Sequence, residues 1–225
     1  MSQKLPLSLF EYDLPEELIA QQPVEPRDSS RLLVVDRNNE DFEHTRFREL
    51  PELLNDGDLL VVNRTRVIPA RVIGRKPTGG RVELLFHRAV DAPLEQACVW
   101  DCLGRPGRAL KPDKTVLVGD VELKVVECSG EGVRVQGSTP LWPLIQEAGE
   151  IPLPPYIHRQ EGPVESDNSS YQTMFAEEPG AAAAPTASLH FTPEVLESLN
   201  RRGIRIATVL LHVGPGTFLP VRPEA

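Results

Sequence analysis

Two histidines flank a single helix-strand unit near the end of the chain. His190 closes the stretch "GAAAAPTASLHF" (180–191), and His212 precedes the glycine turn of "LLHVGPGTF" (210–218). A neutral imidazole accepts a proton near physiological pH, and a protonated one binds an anion. A histidine beside a buried strand serves equally well as a structural donor, so spacing alone leaves both roles open. The "GPGTF" turn, with Gly214, Gly216 and Thr217, would present backbone N–H groups at the carboxyl end of a strand, where a ligand can lie close to the main chain. It is neither a Walker loop nor the G-x-G-x-x-G of a dinucleotide fold. No acid or cysteine stands at metal-ligand spacing from either histidine, and Cys98, Cys102 and Cys128 match no zinc or redox spacing. We therefore expect no metal and three reduced, structural thiols. The four alanines of the first stretch admit two readings, a spacer or a backbone kept bare for a ligand.

Cationic groups form a second constellation. Arg64, Arg66, Arg71, Arg75, Lys76, Arg81 and Arg88 fall within 25 residues of a chain whose net charge is −9. An acidic protein with one basic stretch carries one candidate phosphate surface, although a sheet face with dispersed arginines has the same pattern. "VVNRTRVIPARV" (61–72) adds Asn63 and Thr65 to these cationic forks. "PRDSSRLLVV" (26–35) places Arg27, Asp28 and Arg31 ahead of a strand and reads alone as an ion-paired turn. "DNSSYQTMFA" (167–176) supplies Tyr171, Gln172 and Thr173.

The elements that must position these groups change texture along the chain. "LPEELIAQ" (14–21) predicts a short helix with acids in its first turn, and "SRLLVVDR" (30–37) a buried strand. Residues 47–63 predict another short helix, a turn, and a strand "LLVVN" apolar enough to be buried on both faces. From about residue 66 the text becomes short alternating strands: "ARVIGRK", a "PTGG" turn, "RVELLFHR", a hairpin about Gly119-Asp120, and a further glycine turn before "VRVQG". These suggest a small antiparallel barrel. "STPLWPLIQEAGE" predicts a short helix, and the prolines of "IPLPPYIHR" an extended segment. "TPEVLESLNRRG" is a helix capped by Thr192, opened by Pro193 and ended at Gly203, followed by a buried strand over 204–213. The fold class is an α/β (mixed α+β) main domain built from both ends of the chain, residues 1–65 and 151–225. A small antiparallel β-barrel is inserted over 66–150. The 22 prolines and 16 glycines suit many turns and short strands, and 40% hydrophobic residues over 225 positions suffice for a core. No apolar run approaches the roughly 18–20 residues of a membrane span, and the N-terminus lacks a signal-peptide pattern, so no membrane contact and a cytoplasmic location are expected.

In order, "DLPEELIAQ", "RDSSRLLVVDR", "GDLLVVNRTRVIPAR", "TGGRVELL", "IPLPPYIHR", "YQTMFA", "AAAAPTASLHFTPE" and "LHVGPGTFLPV" cover nearly the whole chain. They closely resemble the S-adenosylmethionine:tRNA ribosyltransferase-isomerase family of queuosine biosynthesis. The resemblance implies an enzyme that moves the ribosyl moiety of S-adenosylmethionine onto the 7-aminomethyl-7-deazaguanine base of tRNA and isomerises it. The product is epoxyqueuosine, with release of adenine and methionine. It also implies roles: His190 or His212 as the base or proton shuttle, and Thr186, Gly214, Gly216, Thr217, Tyr156 and Tyr171 around S-adenosylmethionine. Arg64, Arg66, Arg71, Arg75, Lys76 and Arg81 would engage the tRNA. The implied partner is tRNA carrying the precursor base in its anticodon, with no metal and no protein partner required. Two departures accompany it. Ser188 stands where the family reads glycine, which puts a side chain at a position of open backbone. Members also continue beyond "GTFLPV" through a Gly-Thr-Thr-Ser-Val-Arg segment, whereas this sequence ends at "RPEA". A C-terminally truncated α/β domain is therefore expected, exposing a sheet edge, with a truncated, non-catalytic tRNA-binding module as the alternative function.

Overall fold

The structure is a computed structural model that describes residues 6–39, 41–107, 110–130, 132–159 and 164–218. The "LPV" end of "GPGTFLPV" lies outside the described residues.

Among the described residues, thirteen strands and three α-helices follow one another, joined by 3₁₀ turns. β1 (Arg31–Asp36) and β2 (Asp41–Arg46) form a hairpin, and β3 (Leu59–Asn63) and β4 (Thr65–Val67) follow a 3₁₀ segment at Phe47–Leu53. β5 (Arg71–Arg75), β6 (Arg81–Ala89), β7 (Val99–Arg105), β8 (Thr115–Val118), β9 (Val121–Ser129) and β10 (Gly132–Gln136) come next. They are followed by α1 (Trp142–Ala148), β11 (Gly149–Glu150), α2 (Glu165–Ser170), β12 (Glu178–Ala181), α3 (Pro193–Arg201) and β13 (Arg205–Val209).

β5-β6-β7-β10-β9-β8 run antiparallel, and the pairing of β5 with β8 closes them into a six-stranded barrel. Turn chemistry sets the register: Gly79, at φ +89°, turns β5 into β6, and Gly119, at φ +54°, turns β8 into β9. Glycine, which lacks a Cβ, takes these positive-φ conformations readily. Inward positions alternate with outward ones, which puts Val72, Val82, Leu84, Phe86, Trp100 and Leu123 in one core. Phe86 and Trp100 meet edge to face, with centroids 5.8 Å apart. Burying each such side chain stabilises the barrel by about 1.5–3 kcal/mol. α1 closes one end with Leu141 and Ile145, and β11 returns the chain along β5, Gly149 opposite Val72.

The remainder is mixed α/β, as the sequence indicated, but in narrower ribbons. β3 pairs in parallel with β13, and β4 with β12, so each ribbon joins an early segment to a late one. Phe47, Phe191, Val195, Leu199 and Ile204 make a second core between the Phe47–Leu53 turn and α3. The α3 prediction holds in detail: Thr192 Oγ1 accepts from the Val195 N–H at 3.4 Å, and Gly203 ends the helix at φ +75°.

Three burial expectations fail. β3 is covered on one face only, with Val62 buried while Leu59 and Val61 are 53% and 54% exposed. β13 is mostly exposed, and β1 alternates, leaving Leu33 and Val35 open. In a two-stranded ribbon, the packed turn and helix shield one side; a continuous apolar run says that both faces are apolar, not that both are covered. The expected helix over 14–21 is a 3₁₀ turn of three residues, Glu16–Leu18. Leu14 and Leu18 stay exposed, so no packing holds a longer helix together.

Candidate functional site

"GAAAAPTASLHF" is a buried structural segment rather than a spacer. Ala181, Ala182 and Ala183 have almost no exposed surface. The Ala181 carbonyl accepts from the Ile68 N–H and the Ala182 N–H donates to the Val213 carbonyl, each at 2.9 Å. Small side chains let three chain segments approach here. Gly180 belongs to the same packing: at φ +151°, a Cβ on it would stand 2.6 Å from the His212 ring. His212 in turn is hydrogen-bonded through Nδ1 to Thr65 Oγ1 at 2.8 Å.

Beyond the alanines the chain borders a cavity of about 540 Å³. Tyr156, Tyr171, Ala183, Ala184, Thr186 and Thr217 line it, so four sequence-predicted site residues from separate segments meet. Two glutamines set its walls by acting as strand surrogates. Gln21 Nε2 donates to the Tyr156 carbonyl at 3.0 Å, and Gln21 Oε1 accepts from the His158 N–H at 2.8 Å. Gln172 bonds both the N–H and the carbonyl of Val67, at 2.9 and 3.1 Å. Arg159 and Asp167 form a bidentate pair at 3.0 and 2.8 Å, with side chains only 10% and 3% exposed. The Arg159 guanidinium holds the Asp167 carboxyl below its ordinary pKa, burial opposing. Burial pushes the Tyr171 phenol up; Arg159 opposes this, and the neighbouring Tyr156 phenol adds to it.

Tyr171 is shared with a second cavity of about 450 Å³, bordered by Arg27, Arg31, Arg46, Ser30 and His190. His190 sits against Phe47, with ring centroids 5.4 Å apart. Burial lowers its pKa; a hydrogen bond to the Arg27 backbone opposes this and the Arg27 charge adds to it. Burial thus favours the uncharged imidazole, the form a general base requires. Ser188 is buried but borders neither cavity, so its side chain leaves both open.

The other predicted residues are dispersed. Gly214 and Gly216 are exposed outside both cavities, with open space where a Cβ would stand. Arg64 pairs with Glu177 and Glu178, and Arg66 donates to the Ala176 and Glu177 carbonyls. Arg71 pairs with Glu83 at 2.9 Å and Glu150 at 2.7 Å. Arg71 and Arg81 border a cavity of about 630 Å³ between the barrel and the proline-rich segment. Arg75, Lys76 and Arg81 have no carboxylate partner among the described residues. Gln21, Arg159 and Asp167 carried no sequence signal as site residues, because their partners lie far along the chain. Among the described residues no three His, Cys, Asp or Glu side chains gather as metal ligands, and no helix is long and apolar enough to cross a membrane.

The family model described as queuosine biosynthesis protein matches residues 7–225. The S-adenosylmethionine:tRNA ribosyltransferase-isomerase of Anaeromyxobacter sp. (strain Fw109-5) is 48% identical over 223 residues, covering 97% of this chain and 63% of the relative. The protein of the same name from Thermotoga petrophila is 50% identical over 222 residues, with coverage of 97% and 63%. Among solved structures, S-adenosylmethionine tRNA ribosyltransferase from Thermotoga maritima aligns with 35% identity and a TM-score of 0.37, covering 92% of this chain and 59% of that one. The chain thus spans less than two thirds of the length of these relatives.

Proposed function

The chain belongs to the queuosine biosynthesis protein family, and from that premise we propose that it carries the donor site of an S-adenosylmethionine:tRNA ribosyltransferase-isomerase. The reaction moves the ribosyl moiety of S-adenosylmethionine to the 7-aminomethyl-7-deazaguanine base of tRNA and isomerises it to epoxyqueuosine, releasing adenine and methionine. The observation that carries this reading is the convergence of Tyr156, Tyr171, Thr186 and Thr217 on one cavity, with His190 in the cavity across Tyr171. The bare backbone at Ala183 and Ala184 lets a flat purine lie close, and Thr186 and Thr217 supply hydroxyls to orient it. The aromatic faces of Tyr156 and Tyr171 favour a sulfonium cation by about 0.5–2 kcal/mol each.

Of the two histidines, His190 is the better base. Its imidazole borders a cavity, whereas His212 is tied to Thr65 and covers Gly180. Arg75, Lys76 and Arg81, which lack intramolecular carboxylate partners, are the part of the basic stretch best placed to meet tRNA phosphate. The test is adenine release from S-adenosylmethionine in the presence of tRNA bearing the precursor base. The reading expects release that depends on that tRNA and falls at least about a hundredfold in His190→Ala, the usual scale of a lost general base. Full activity in His190→Ala would remove the residue from the chemistry. RNA binding by a folded chain without adenine release would leave a non-catalytic tRNA-binding module.

A further inference from the structure

We infer that the cavity bordered by Arg27, Arg31 and Arg46 is a phosphodiester site, which holds a backbone phosphate of the RNA beside the base undergoing modification. The inference rests on the tRNA reading above and adds a contact outside the basic stretch of residues 64–81. Its first support is a frustrated pair. Arg31 and Arg46 are direct register partners across the β1–β2 hairpin, and like charges placed opposite one another destabilise a strand pair. Its second support is the absence of a neutralising group. No carboxylate among the described residues pairs with Arg27, Arg31 or Arg46, whereas Arg48, Arg64, Arg71, Arg88, Arg134 and Arg159 all have one.

Two of the three guanidiniums are nevertheless held in place. Arg46 Nη1 donates to the Ser29 carbonyl at 2.8 Å, and Arg27 Nη1 to the Gln172 carbonyl at 2.8 Å, with Nη2 bonding the Ser169 carbonyl. Carbonyl anchors orient a guanidinium without cancelling its charge, leaving its other N–H groups for an oxyanion that can bridge two forks. Arg159 also borders the cavity but is neutralised by Asp167.

A phosphodiester fits better than the carboxylate of a methionyl group. An amino acid brings an ammonium with its carboxylate, and this cavity offers three unpaired cations and no free acid to receive it. Arg31 and Arg46 are also exposed on the hairpin surface, so a chain of nucleotides can pass over them with one phosphate seated. The shared wall at Tyr171 puts that phosphate next to the donor cavity.

The probe is a fluorescently labelled, unmodified anticodon stem-loop RNA, titrated with the whole chain at several salt concentrations and followed by anisotropy. Arg31→Gln and Arg46→Gln should each weaken binding about fivefold to eightfold at 0.1 M salt and flatten the log–log salt slope by about 0.7–0.9, the value of one lost phosphate contact. Because Arg31→Gln also removes the like-charge pair, its melting temperature without RNA should equal or exceed that of the unmutated chain, which excludes unfolding as the cause of weaker binding. Unchanged affinity and slope in Arg31→Gln and Arg46→Gln, with losses only in Arg75→Gln or Arg81→Gln, would overturn the site while leaving the substrate reading intact. Displacement of the RNA by free methionine would give the cavity to a carboxylate instead and equally overturn it. No RNA binding by the unmutated chain would overturn the site together with the substrate reading.

Discussion

Burial penalises the charged form of His190, so protonation and folding oppose one another. The sign follows from linkage. A histidine whose folded pKa lies below its unfolded value, near 6.5, binds fewer protons when folded. Its share of stability is complete above that pH and is lost as pH falls toward the folded pKa. Urea midpoints should therefore drop between pH 7.5 and 5.5, and His190→Gln should make that drop smaller; an equal drop in the variant would rule out the residue. Asp167 behaves as a depressed carboxylate, stabilising above its ordinary pKa and failing only in acid. Removing its charge strands the nearly buried Arg159, so Asp167→Asn should cost about 3 kcal/mol in denaturant unfolding and release the wall that holds Tyr171. Motif resemblance singled out Tyr156, Tyr171, Thr186 and Thr217, and the structure brings these four to one cavity. The groups that fix them were not legible in the sequence: Gln21 reaches His158 over a separation of 137 residues, and no local spacing encodes such a contact.

At the scale of elements, whatever turn chemistry determines was readable. The Gly79 and Gly119 turns, the Thr192 cap and the Gly203 stop are local choices, and each appears where the sequence put it. Strand partners and coverage are not local. β2, "DFEHTR", has too little apolar alternation to be recognised, and it forms because β1 offers an edge to pair with. Barrel closure depends on a contact remote in sequence, between β5 and β8, where Arg75 stands opposite Leu117. Gly74 sits there on the inner face, and a Cβ would stand 2.6 Å from Val116 Cγ1 and 2.8 Å from the Leu117 carbonyl. A side chain can fit only by moving the β5–β8 seam. Gly74→Ala should thus destabilise the chain by about 1–3 kcal/mol, as overpacking does, and Gly74→Val by more. Thermal unfolding followed by the fluorescence of buried Trp100 reads the effect, and a neutral Gly74→Ala would mean that the seam is looser than drawn.

For the molecule as a whole, the informative contrast is between a closed, fully packed barrel and ribbons with an uncovered side. Leu59, Val61 and Val209 share one face of the β3–β13 pair, where Arg205, Ala207 and Val209 stand opposite Leu59, Val61 and Asn63. All three apolar side chains are exposed, as are Leu210 and Leu211 just beyond the strand. Contiguous apolar surface of this kind drives association in water, and a two-stranded ribbon leaves backbone edges that template further pairing. Net charge of −9 opposes association at long range, but it is screened beyond about 10 Å at 0.1 M salt, so contact at the patch is decided by the apolar term. The chain alone should associate with a dependence on concentration that strengthens as salt is raised, measurable by sedimentation. Val61→Lys places a charge in the middle of that face without disturbing a buried contact. It should leave unfolding stability within about 0.5 kcal/mol and shift the population toward monomer. If Val61→Lys sediments as the unmutated chain does, the contact lies on another surface, and the next to test is the β1–β2 face that exposes Leu33, Val35 and Phe42.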